Sequence, residues 1–273
     1  MISELSLLRV LLLLSMAVAP LGTHRFLFPA PSRPRAIAHA VSLACAAVGL
    51  FSRAPILCVA WLAFCAVSFA LFLRSRASSL RSSRVLAACV PFLFSNVAAV
   101  WLVGGANDLG ILGYGAQFSY YAALHGNVLG WVVVGALAVL ADREGPERGV
   151  YLAAVLTCFV SFLLIALGID QLRALKPIGV VGLSIALPIA QLAFLRGARR
   201  RNRAAFALGC VSLAGLVLTM VLAWRNELSM PVLPDVLGVR AMVSVHGALN
   251  ALVVAPSFLL AVVLDAPRER SAE

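Results

Sequence analysis

Apolar residues dominate nine stretches of the chain, and polar residues concentrate in the short segments between them. A helix of about 18 to 20 apolar residues crosses roughly 30 Å of hydrocarbon with every backbone hydrogen bond made inside the segment. The stretches are too long for membrane β-strands, and they lack strict alternation. We therefore predict an all-α polytopic transmembrane bundle with spans at 5–22, 36–52, 55–73, 85–104, 117–141, 150–169, 177–195, 204–224 and 240–264.

The second span is the shortest of the nine, and with the third it has to form a tight hairpin at Arg53. The count is nine if this hairpin crosses the bilayer and seven if it does not. Connecting segments reach only about a dozen residues. Residues 1–273 are therefore expected to form a single transmembrane domain without a soluble domain.

Composition supports this interpretation and excludes a soluble globular protein. Hydrophobic residues make up 62% of the chain and charged residues 12%, and the mean hydropathy is +1.00. A soluble domain of this size has no core large enough to bury so much apolar surface.

Basic residues are distributed unevenly between the two sets of loops. With nine spans, 16 of the 22 Lys and Arg residues fall on one side and five on the other. The positive-inside rule then predicts an outside N-terminus and a cytoplasmic C-terminus. The basic face is expected to attract anionic lipid headgroups of the bilayer, and no nucleic acid is expected as a partner.

Two histidines lie in similar settings inside long apolar spans, at His125-Gly126-Asn127 and His246-Gly247-Ala248-Leu249-Asn250. His125 lies eight residues after its helix enters the membrane near Gln117, and His246 lies eight residues after its helix enters near Gly238, which is about 12 Å at 1.5 Å per residue. Asn96 lies at the same depth on the fourth span. Because polar groups in hydrocarbon normally face the bundle interior, the spacing predicts one polar layer in the outer third of the bilayer.

Further polar residues extend this layer along the two histidine helices. Gln117, Tyr121 and His125 share one helix face, as do His246 and Asn250, and Arg240 precedes His246 by six residues, near the mouth of a cavity. The predicted ligand-binding set is His125, His246, Asn250, Asn127, Asn96, Tyr121, Gln117 and Arg240.

A structural explanation competes with the binding site. Polar side chains also join transmembrane helices by hydrogen bonds, and Gly126 and Gly247 would then let helices approach closely. His24 and His39 flank the basic first loop, and the sequence assigns them no role.

Three classes of function remain open. The first is a transporter or a small-ligand or proton-responsive membrane protein, since the imidazole pKa of about 6.5 permits switching near neutral pH. The second is a b-type haem or metal protein with His125 and His246 as opposed ligands. The third, a membrane enzyme acting on a lipid-linked substrate, is disfavoured because every Asp and Glu falls in a loop or at a helix end.

The ninth span also carries a family resemblance. Residues 240–252, RAMVSVHGALNAL, resemble the His-Gly-x-x-Asn-Ala segment of the YndJ-like bacterial membrane proteins, and residues 117–122, QFSYYA, are similar to that family's His-Phe-x-Tyr/Phe-Ala motif. Gln117 stands where the family motif has histidine. The resemblance covers about the last 160 residues and implies a multi-pass protein of the bacterial plasma membrane.

Overall fold

The computed structural model describes residues 3–28, 30–143, 145–230, 233–236 and 239–266. In this part of the chain, nine helices are long and apolar enough to cross a membrane. They are α1 (Glu4–Phe26), α2 (Arg33–Phe51), α3 (Pro55–Ser75), α4 (Ser83–Ala106), α5 (Ala116–Asp142), α6 (Arg148–Ile169), α7 (Leu175–Arg201), α8 (Arg203–Glu227) and α9 (Met242–Leu264).

The all-α prediction with nine spans is confirmed, and each helix overlaps its predicted span. The hairpin at Arg53 consists of two helices that are both long enough to cross the bilayer. Helix α2 has 19 residues and α3 has 21. Capping explains where several helices begin. Ser3 accepts a hydrogen bond from the Ser6 amide at the start of α1, and Asn202 accepts hydrogen bonds from the first amides of α8.

Helix α5 lies at the centre of the bundle. Within its apolar window 89% of the residues are buried, against 22% in α2. It packs against α1, α4, α6 and α9. The fully buried indole of Trp131 donates a hydrogen bond to Thr23 Oγ1 at 3.0 Å, which ties α5 to α1.

Glycines set the distance between α4 and α5. A methyl group placed on Gly126 would lie 2.8 Å from the Ala98 Cβ, and one on Gly130 would lie 2.4 Å from the Phe94 ring. Gly247 differs, since its nearest neighbour would be 3.6 Å away. Close helix approach therefore accounts for the first of the two His-Gly pairs and not for the second.

Both histidine helices contain π-helical segments, a rare geometry that often occurs at functional sites. In α5 the segment is Gly126–Val133, which starts directly after His125. In α9 the segments are Met242–Gly247, which contains His246, and Asn250–Val254.

Ion pairs join the C-terminal ends of α5, α7 and α9, on the face of the bundle remote from Glu4. The Asp265 side chain is only 2% exposed and receives two hydrogen bonds from Arg201, at 2.7 and 3.0 Å. Arg143 lies 3.9 Å from the same carboxylate and also donates to the Val262 carbonyl at 3.0 Å. Burial lowers the pKa of Arg143, and the charge of Asp265 acts in the opposite direction.

Candidate functional site

His125 of α5 and His246 of α9 are neighbours in the structure. Their ring centroids are 6.3 Å apart, and the ring planes are inclined by 30°. His246 is half-buried, whereas His125 is exposed on the surface of the bundle. Two residues 121 positions apart in the sequence thus form one imidazole pair.

Hydrogen bonds fix the proton on one nitrogen of each ring. The Nδ1 atom of His125 is 2.9 Å from the Tyr121 carbonyl oxygen, and the Nδ1 atom of His246 is 2.9 Å from the Thr219 carbonyl oxygen. A carbonyl oxygen only accepts hydrogen bonds, so each Nδ1 carries the hydrogen and donates it. The Nε2 atom of each neutral ring is therefore left with a lone pair.

The Nε2 lone pair of His246 accepts a hydrogen bond from Asn250. Its amide nitrogen donates to His246 Nε2 at 3.3 Å and to the His246 carbonyl at 3.0 Å, and its amide oxygen accepts from Thr219 Oγ1 at 3.3 Å. Among the described residues, none donates to the Nε2 atom of His125. This atom is the open proton acceptor of the pair.

A small crevice lies between the two rings. Its volume is about 10 Å³, and its walls are Leu124, His125, Val128, Leu129, His246, Gly247 and Asn250. This volume is close to the minimum for a single water molecule. A haem macrocycle between the rings needs many times more space, so the residues present do not fit a haem.

The pair also lacks the ligands of a metal centre. The described part of the chain contains no group of three or more His, Cys, Asp or Glu side chains that could hold a metal ion. Two imidazoles fall short of the three or four protein ligands that zinc sites use.

A second polar group lies one helical turn from the histidine pair, at the outer ends of the predicted spans. Arg240 donates to both carboxylate oxygens of Glu4, at 2.7 and 3.1 Å, and to the Tyr121 hydroxyl at 2.7 Å. Tyr121 and Gln117 also donate hydrogen bonds to Glu4. The hydrogen bonds to Glu4 raise the pKa of Arg240 above its usual value, so the guanidinium stays charged.

Tyr121 connects this polar group to the histidine pair, because its hydroxyl bonds Glu4 while its carbonyl accepts from His125. Glu4 is the residue that sequence reasoning missed. It lies in the first turn of α1 and was not in the predicted ligand-binding set. The available signal was that Glu4 and Arg240 are opposite charges at the same predicted membrane face.

Two residues of the predicted set do not join the pair. The Asn96 amide donates to the carbonyls of Phe92 at 2.8 Å and Cys65 at 3.4 Å, on the side that faces α3. The Asn127 amide is fully buried and donates to the Ala123 carbonyl at 3.0 Å. The structure therefore unites His125, His246 and Asn250, with Tyr121, Gln117 and Arg240 beside them.

Comparison with known proteins places the chain in a family. Residues 7–254 match the model of the family described as YndJ-like protein. The match runs from α1 into α9, well beyond the C-terminal part that carries the sequence resemblance. No curated protein and no solved structure matches the chain. The family match covers most of the sequence, and the chain therefore belongs to the YndJ-like protein family.

Proposed function

We propose that this YndJ-like protein is a proton-responsive membrane protein whose proton site is the pair of His125 and His246. The observation that carries the proposal is the arrangement of the two rings. Both imidazoles donate from Nδ1 to backbone carbonyls, their centroids are 6.3 Å apart, and the Nε2 atom of His125 is open. Histidine is the side chain whose ordinary pKa allows such a site to titrate near neutral pH.

The pair is suited to bind one proton rather than two. Two positive charges at the 6.3 Å ring separation repel each other by about 3 kcal/mol at an effective dielectric constant near 20. The Nε2 lone pair of His246 already accepts a hydrogen bond from the Asn250 amide. Protonation of this Nε2 would place two donor N–H groups in contact. The proton therefore goes to Nε2 of His125.

Among the described residues, the charged and titratable groups that the contacts place near the pair lie on α1, on α5 and just before α9. These groups are Glu4 and Arg9 of α1, Tyr121 of α5, and Arg240, which precedes α9. Arg240 and Glu4 neutralise each other through a bidentate ion pair. Of these neighbouring groups, the two imidazoles are the ones whose ordinary pKa lies closest to neutral pH. With the orientation that the basic loops indicate, protons reach the pair from outside the bacterial plasma membrane.

The π-helical segments supply a means of response. A π-helical turn holds one residue more than an α-helical turn, so conversion between the two rotates and shifts the residues that follow. His246 lies within Met242–Gly247, and His125 directly precedes Gly126–Val133. Protonation turns His125 Nε2 from an acceptor into a donor and so changes how the two rings pack. It is thereby coupled to the register of two helices, and the shift opens the 10 Å³ crevice to a small ligand or a transported ion.

Hydrogen exchange of the full-length protein in lipid nanodiscs tests this proposal. After correction for the intrinsic rate, we expect faster exchange in peptides from residues 242–254 at mildly acidic pH than at neutral pH. The H125Q variant should lose this pH dependence. An N96A variant, altered at the same depth and outside the pair, should keep it. Equal pH dependence in the wild type and H125Q would reject the proposal.

A further inference from the structure

A second site lies near the other end of α1, where the sequence assigned no role to its histidines. A cavity of about 690 Å³ opens between α1, α2 and α9. Its walls are mainly apolar and include Val18, Leu21 and Leu260. One end is polar and carries His24, Arg25 and Arg35.

Two prolines line the gap between the helices. Pro20 of α1 and Pro256 of α9 both line the cavity, and each interrupts the hydrogen-bond ladder of its helix. A helix distorted by proline packs less closely on its neighbours. The cavity thus has a definite origin in the sequence.

The polar end carries positive charge without a carboxylate. No Asp or Glu lines the cavity, and within the described part of the chain neither Arg25 nor Arg35 forms an ion pair. The Arg35 guanidinium lies 3.8 Å from the centre of the Phe28 ring, and one of its nitrogens donates to the Ala30 carbonyl. Its Nη1 atom is buried without a hydrogen-bond partner in the described structure.

His24 adds a second buried polar atom with no partner. Its ring packs against Phe28 at 5.4 Å and Phe64 at 5.5 Å, and its Nε2 atom makes no hydrogen bond to any described residue. Buried polar atoms are rarely left unsatisfied, so two of them at one end of a cavity indicate a ligand with hydrogen-bonding groups.

The cavity opens toward the side of the bundle. Leu21 is 57% exposed and Leu260 is 47% exposed at its rim. The volume of 690 Å³ lies within the range typical of small-molecule sites. An occupant that complements these walls has an apolar chain, which reaches the site from the bilayer, and an anionic head.

We propose that the cavity binds one phosphate-bearing anionic lipid. An acyl chain contacts Val18, Leu21 and Leu260, and the phosphate accepts hydrogen bonds from Arg25 and Arg35, with His24 beside it. Arginine suits this role because its planar guanidinium donates two parallel hydrogen bonds to a phosphate. The site is separate from the histidine pair and does not depend on the proton proposal.

Native mass spectrometry of the full-length protein, released from nanodiscs with equal amounts of phosphatidylglycerol and phosphatidylcholine, tests the assignment. We expect the wild type to retain one phosphatidylglycerol molecule in preference to phosphatidylcholine. The double variant Arg25→Gln/Arg35→Gln should lower this preference at least about tenfold, the effect of losing one charge-assisted hydrogen bond. Arg200→Gln, which changes an exposed arginine outside the cavity, should leave it unchanged.

A second variant tests the site by shape rather than charge. Ala36 lines the cavity, and A36F fills it while every charge remains, so retention of the lipid should fall. Undiminished retention in both A36F and the double arginine variant would overturn the proposal. Displacement of the lipid by soluble glycerol phosphate at equal concentration would also overturn it, because the ligand would then be a soluble anion.

Discussion

His39 of α2 donates a hydrogen bond from Nε2 to the carbonyl oxygen of Met16 in α1, at 3.1 Å. In a regular helix this carbonyl accepts from the amide four residues later, and that residue is Pro20, which has no amide hydrogen. His39 therefore supplies the donor that proline removes. One imidazole satisfies a buried acceptor and also holds two helices together.

This relationship predicts a dependence between two substitutions. H39F keeps the ring contacts with Trp61 and Phe64 and removes the donor, and should lower the free energy of unfolding by about 1–2 kcal/mol. In a P20A background the helix makes its own hydrogen bond, and H39F should cost much less. Thermal unfolding of the four variants in detergent measures the coupling. An equal cost in both backgrounds would contradict the assignment.

The two His-Gly pairs should respond differently to an added methyl group. In G126A the new Cβ lies 2.8 Å from the Ala98 Cβ, so α4 and α5 must separate and the unfolding temperature should fall. In G247A the nearest atom is 3.6 Å away. A stability change within about 1 kcal/mol is expected there, since alanine favours helix by about that amount. Similar destabilisation by both variants would show that both glycines serve helix packing.

The carboxylates that pair with arginine at the helix ends remote from Glu4 should differ in their contribution to stability. The Asp265 side chain is only 2% exposed, and D265N removes the carboxylate charge that faces the guanidinium of Arg143. This substitution should cost about 2–3 kcal/mol of stability. Asp142 is 26% exposed and lies 3.5 Å from Arg76, so D142N should cost less than about 1 kcal/mol. Unfolding of both variants under identical conditions checks the order, and a reversed order would refute it.

The Glu4–Arg240 pair should contribute little to stability, and that contribution should not vary with pH near neutrality. Arg240 is 59% exposed, so R240Q should cost no more than about 1 kcal/mol, and less at high salt. Hydrogen bonds to Glu4 raise the pKa of Arg240. The stabilisation from a raised basic pKa is complete below the ordinary value of about 12.5 and disappears only above it.

The cost of R240Q should accordingly be the same across the range from about pH 6 to pH 9. Unfolding midpoints at several pH values give this comparison. R240Q should also keep the acid-dependent exchange of residues 242–254. Loss of that response would assign proton sensing to the group formed by Glu4, Tyr121 and Arg240 instead of the histidines.

The helices could be predicted from the sequence because hydropathy is a local property. The fixed rise of a helix likewise gave His125 and His246 one depth, and the structure brings them together. Depth does not determine how a helix is rotated. Asn96 has the same predicted depth, yet its amide faces α3 because it bonds the Cys65 carbonyl.

Contacts between distant segments could not be read from the sequence. Glu4 meets Arg240 across 236 positions. The cavity near His24 is lined by Pro20 and Pro256, which lie 236 positions apart, so it depends on how α1 packs against α9. Proline positions were visible in the sequence, but their relative placement depends on the tertiary fold.

Histidine nitrogen NMR of the full-length protein in nanodiscs tests the central claim most directly, because the chemical shifts report which ring nitrogens carry hydrogen. At neutral pH we predict that Nδ1 is protonated and Nε2 is bare in both His125 and His246. On acidification a single proton should appear on Nε2 of His125, and the H246Q variant, which removes the neighbouring ring, should shift that titration. Two imidazoles that remain neutral throughout, or that titrate independently of each other, would contradict the account.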